Sequence, residues 1–277
     1  LKNQIKSYLY LPARFHKRHD YCEFVISQIE DLILNEEFIE LKTQVFEFPP
    51  EFIKKLDTSD KHFLDLLEEE KYDDIVFHLI KNSVLLSLIM ETCYFLQESF
   101  LCSLKMRMTV CFTLLRKPFL EILMVLMRIL NDEDFIDNFN HTENYDPILT
   151  SPGKKKELLN QSNIWLHNKY NYEDLYDFIF NKDFGDSLFN LTNNAIHLYT
   201  DRNPISTTEK QNLNFIFSNK ENIESQWEYV YDYMPMLVTF IADIIDLLVL
   251  KSTNVKEKTF VIRMKARDRL RKKNNVS

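Results

Sequence analysis

The stretch RFHKRHDYC (14–22) holds a dense set of potentially reactive side chains. His16, His19 and Cys22 recur every three residues, so on a helix neighbours fall about 60° apart and their donor atoms share one face. Imidazole and thiolate are donors that zinc favours. No second ligand cluster accompanies them, and His19 and Cys22 also continue the apolar stripe of the segment. Core packing therefore competes with coordination, and no metal or other cofactor is assigned. In the same stretch four residues separate Arg14 from His19. An Arg and a His brought together across a helical dimer can cleave RNA without metal, by polarising the 2′-hydroxyl, stabilising the phosphorane and protonating the leaving oxygen.

A second constellation joins TLLRKPFLEILMVL (113–126) to LTNNAIHLYTDRNP (191–204). Arg116 and Glu121 lie in very apolar sequence, where an unpaired charge costs several kcal/mol or changes protonation. Asn193 and His197, four apart, share a helix face. A catalytic reading gives Arg116 and Arg202 to a phosphate, makes His197 the acid or base, and lets Glu121 orient one of them. A structural reading makes Arg116 and Glu121 a buried pair that fixes helix register, with His197 a satisfied core histidine. Glu68, Glu69 and Glu70 with Asp73 and Asp74 read as a solvated face rather than a carboxylate metal site. Walker, HExxH, GxSxG and paired zinc-knuckle patterns are absent.

The elements that must hold these groups are helices. Two glycines in 277 residues, against about 20 for average usage, exclude folds built on tight hairpins, dinucleotide loops or phosphate-cradling loops. Three-and-four spacing predicts helices over about 14–38, from about 58 onward, through 83–131 with a division after Arg116 at Pro118, from Ser151-Pro152, over 172–181 and 186–200, and after a capping pattern at Ser218 and Glu221. TQVFEFPP (43–50) reads as extended and stopped by its prolines. The expected architecture is an all-α, multi-helix bundle: an N-terminal half (1–131), an acidic connector (132–150), a C-terminal half (151–250) and a basic tail (251–277). The seam Trp227, Val230, Met234, Leu237, Ile241, Ile244, Leu248 is expected to pack on another helix, in this chain or in a second copy.

Charge is unevenly distributed. Residues 251–277 carry ten Lys/Arg against Glu257 and Asp268, a balance of +8, which leaves −16 on residues 1–250 of a chain with net charge −8. Such a tail suits nucleic acid, an acidic membrane face, or acidic protein; for RNA the expected contacts are Arg267, Arg269, Arg271, Lys272 and Lys273. Charges interrupt the apolar stretches, and Asp243 and Asp246 sit off the seam, so no membrane span is expected. Cys22, Cys93, Cys102 and Cys111 lack CxxC spacing and point to reduced thiols in a cytoplasm-like compartment.

The Arg14-x4-His19 spacing resembles the RX4-6H motif of the HEPN superfamily, all-helical proteins that include prokaryotic ribonuclease toxins and defence effectors. The Arg116-x4-Glu121 helix with a later His197 is loosely similar to uncharacterised bacterial helical families, some of them HEPN-like. The resemblance implies a helical binding or regulatory module working through protein or nucleic-acid contacts, or alternatively a metal-independent endoribonuclease using one Arg/His pair. Separately, the Trp227–Leu248 seam and the density of aromatic residues make self-association or a protein partner the expectation, through the 227–248 helix.

Overall fold

A computed structural model describes residues 8–200, 207–210, 213–214 and 219–276. Among them the chain forms twelve α-helices and no strand, so the all-α expectation holds. A short 3₁₀ turn after Pro12 leads into α1 (His16–Leu34), which ends at Asn35 rather than near Phe38 because Asn35 turns extended and caps a following 3₁₀ segment. α2 (Pro50–Thr58) begins where the sequence suggested a stop. Pro50 occupies the first helical turn, where its missing N–H costs nothing. α3 (Phe63–Glu69) and α2 enclose a small aromatic cluster around Phe48, Phe52, Leu66 and Tyr72.

The apolar stretch 83–131 resolves into the end of α4 (Asp73–Leu104), then α5 (Met108–Arg116), a π-helical segment (Lys117–Ile122) and α6 (Leu123–Asn131). Pro118 divides it as expected: without an N–H it cannot close the α-helical ladder, and the wider π-turn absorbs the defect. α7 (Phe135–His141) lies within the acidic connector, whose Pro147 carbonyl accepts from Arg128 Nη1 at 2.9 Å. α8 (Pro152–Trp165) starts as predicted, with Ser151 Oγ accepting from the Lys154 N–H. α9 (Tyr172–Ile179) and α10 (Leu188–Ile196) are each shorter than their periodicity suggested. α11 (Lys220–Ser252) is capped by Asn219, whose side chain accepts from the Asn222 N–H; Ser218, the expected cap, lies outside the described residues. α12 (Glu257–Asn274) is the last helix among the described residues.

One hydrophobic core joins both expected halves and the expected tail, running from Leu11 to Val276. α1 packs against α4, α11 and α12, while α11 also meets α6. The Trp227–Leu248 seam is buried inside this bundle, so it is an intrachain contact and not a free face for a second copy. By length and composition alone α4 and α11 could each cross a membrane, but 78% of the apolar window of α11 is buried within the protein, against 28% for α4.

Scarce glycine is met by an unusual local solution. Several helices end in residues with positive φ that are not glycine: Lys71 (61°), Met106 (60°), His167 (56°), Asn168 (55°) and Asn275 (50°). At α3 the Tyr72 N–H reaches the Leu67 carbonyl at 2.9 Å and the Lys71 N–H reaches Glu68 at 3.0 Å, the paired bonds of a Schellman ending. The Met106 and Asn275 endings repeat the pattern.

Candidate functional site

The two Arg/His constellations are not assembled within one chain. Arg14 is exposed and pairs with Glu224 and Glu228 on α11 at 3.4 and 3.1 Å, while Arg18 pairs with Asp232 at 2.6 Å. Arg14, in the 3₁₀ turn before α1, and Arg18, on α1, thus meet three acidic positions on α11 at helical spacing. His19 points into the core instead, its Nδ1 3.1 Å from the Tyr231 hydroxyl, among the rings of Phe100 and Tyr231. The other members of the stretch also diverge. His16 donates to the Leu11 carbonyl at 2.9 Å and stacks on Tyr8. Cys22 is fully buried, and burial pushes its thiol well above the ordinary range.

Arg116 closes α5 and is partly exposed, so it is not the deeply buried ion the apolar sequence suggested. Its Nε lies 3.9 Å from Glu121 Oε1, its Nη1 donates to Thr192 Oγ1 at 3.4 Å, and its guanidinium covers the Phe189 ring. His197 follows the end of α10 in extended conformation and is exposed. It therefore leaves the helical face of Asn193, although its N–H bonds the Asn193 carbonyl at 3.0 Å. No hydrogen bond or ion pair among the described residues joins Arg116 to His197. Arg202 lies outside the described residues.

The expected basic tail is a packed helix. Arg267, an expected RNA contact, is the largest fully buried side chain among the described residues; that assignment is corrected by its surroundings. Its Nη2 donates to Asp243 Oδ1 at 2.7 Å and to Asp246 Oδ2 at 2.6 Å, and its Nη1 to Gln28 Oε1 at 2.9 Å. Arg263, one turn earlier, donates through Nε to Asp246 Oδ1 at 3.0 Å, through Nη1 to Asp31 at 3.1 Å and through Nη2 to the Gln28 carbonyl at 2.6 Å. Lys169 Nζ and the Tyr170 hydroxyl complete the set on Asp243 Oδ2 at 2.8 and 2.6 Å. Arg263 and Arg267 of α12, with Lys169 from the segment between α8 and α9, thus face Asp31 of α1 and Asp243 and Asp246 of α11. Burial works against the Arg267 charge, but Asp246 and Asp243 outweigh it and hold the guanidinium above its ordinary pKa. Burial and then the Asp243 charge push the Tyr170 hydroxyl well upward, so it stays a donor.

Such a network is a register device rather than a large source of stability, because desolvation offsets much of the attraction. Its signal was present in the sequence: Asp243 and Asp246, three apart in an apolar run, and Arg263 and Arg267, four apart on the next helix, each place like charges on one face. The remaining cations on α12 look outward. Arg269, Lys272 and Lys273 are exposed and Arg271 is partly so. Asn274 Nδ2 donates to the Lys17 carbonyl at 3.3 Å, which brings exposed Lys17 beside the same helix end.

No protein-family model, curated protein or solved structure matches the chain.

Proposed function

We propose that the protein is a helical binding module, HEPN-like in architecture, that contacts RNA through the outer face of α12 in a reducing, cytoplasm-like compartment. The defence or toxin setting implied by the HEPN resemblance belongs to the same proposal. The observation that carries it is the division of the cations of α12. Arg263 and Arg267 anchor the helix in the core, and Arg269, Lys272 and Lys273 stand exposed with no carboxylate within 4.0 Å among the described residues. A rigid cationic edge tracks a phosphate backbone with less ordering cost than a loose tail. The four buried thiols support the reducing setting. Cleavage by an Arg/His pair draws no support from the geometry of a single chain, since Arg14 is at the surface, His19 is in the core, and Arg116 does not meet His197.

Titration of labelled single-stranded RNA at rising salt tests the reading. With Lys17, Arg269, Lys272 and Lys273 on phosphates, log K should fall with log salt at a slope of about −3. The triple variant R269Q/K272Q/K273Q should bring that slope to about −0.7 while the melting temperature is kept. Absence of RNA binding, or an unchanged slope in the variant, overturns it. Deleting residues 252–277 is the wrong perturbation, because it removes Arg263 and Arg267 from the core.

A further inference from the structure

A cleft of about 650 Å³ opens where the ends of α8 and α11 meet α4, α6 and α7, within the range of small-molecule sites. Its wall is mainly apolar, with Phe77, Ile129, Leu130, Ile164 and Leu248. Two lysines line it, Lys81 from α4 and Lys251 from α11. Neither ammonium has a hydrogen bond or a carboxylate within 4.0 Å among the described residues. This contrasts with Arg263, Arg267 and Lys169, each of which is matched by an aspartate.

The acidic residues of the cleft do not compensate them. Asp132 already engages Lys154 through Oδ1 at 3.0 Å and Arg128 through Oδ2 at 3.1 Å, and Glu133 is exposed. Lys251 instead rests on the Trp165 ring, its Nζ 3.3 Å from the ring centre. Burial lowers the pKa of both lysines, and the Lys81 charge lowers that of Lys251 further. Two like charges, Lys81 partly buried and Lys251 exposed, thus line one cleft, an arrangement that an incoming negative charge relieves. Gln161 lines the same wall; its Nε2 donates to Glu157, and its buried Oε1 has no donor.

We propose that this cleft binds a small amphipathic organic anion, with a carboxylate or phosphate head between Lys81 and Lys251 and an apolar body against Phe77, Ile129 and Ile164. The two charges select the head, and the aliphatic and aromatic wall selects the body. A cation of the same apolar size is excluded by the lysines.

Tryptophan fluorescence reads the site directly. Trp165 lines the cleft, whereas Trp227, the other tryptophan, is buried and donates to the Ser103 carbonyl. Decanoate and phenyl phosphate are titrated separately, with decyltrimethylammonium as the cationic control. At least one anion should bind saturably and perturb Trp165, and K81Q and K251Q should each weaken it about tenfold or more, the loss of one charge-assisted contact. Tighter decanoate binding assigns a carboxylate on an aliphatic chain; tighter phenyl phosphate binding assigns a phosphate ester on a ring. In the unmodified protein, the bound anion should also slow acetylation of Lys81 and Lys251 by acetic anhydride, read by mass spectrometry, which keeps the test independent of how the variants fold. The proposal is overturned if neither anion saturates below about 1 mM, the weak end of specific binding. Equal binding of the cation, or protection only at other lysines, overturns it as well.

Discussion

Replacing Arg267 with methionine keeps the bulk of the side chain and removes its charge. Asp246 Oδ2 then loses its 2.6 Å donor and keeps Arg263, while Asp243 loses a 2.7 Å donor and keeps Lys169 and Tyr170. Removing one partner from a buried pair leaves an uncompensated charge and costs about 3–5 kcal/mol. Unfolding entropy of about 2.1 cal/mol/K per residue converts this, for a chain of this length, into a fall of about 5–9 °C in melting temperature. A second substitution separates the charge argument from simple packing: R267M combined with D246N removes one stranded carboxylate charge and should recover part of the loss. R269M, on the exposed side of the same helix, should move the melting point by no more than about 1 °C. Thermal melts by circular dichroism provide the assay. If R267M melts within about 1 °C of the parent, the buried network is not what fixes α12.

Two further outcomes follow from local geometry. Lys71→Gly removes the left-handed strain of an exposed Schellman position, and after the added unfolded-state entropy of glycine it should still stabilise the chain by about 0.5–1 kcal/mol in urea titration; a destabilised variant would show that the Lys71 side chain contributes more than its backbone costs. Burial pushes the Cys93 and Cys111 thiols up to about 12. Only about one in ten thousand is then ionised at pH 8, so reaction of these two with a disulfide reagent should be orders of magnitude slower than for a free thiol and should appear only on unfolding; prompt native labelling of either would contradict their burial.

The helical class was legible because glycine scarcity and three-and-four spacing act on every segment at once. Ser151-Pro152 and Pro118 were also legible, since a cap and a missing N–H work through their immediate neighbours. What escaped were pairings set by distant chain segments. His19 and Arg14 are near in sequence, but a helix directs one to Tyr231 and the other to Glu228. His197 lost its expected face because α10 ended one residue too soon. The tail looked like a solvated polycation because its neutralising aspartates lie on α11 and α1, outside any local window. Net charge along a sequence reports composition, and only the fold decides which charges face water.

The claim underlying both the fold and the proposed contact surface is that α12 is a core helix with an outward cationic edge. Native-state hydrogen exchange over residues 257–274 tests it most directly. Amides around Arg263 and Arg267 should exchange with protection close to that of α11, reflecting global opening. Exchange of the whole segment at the rate of an unstructured peptide would contradict the account and return these residues to a free tail.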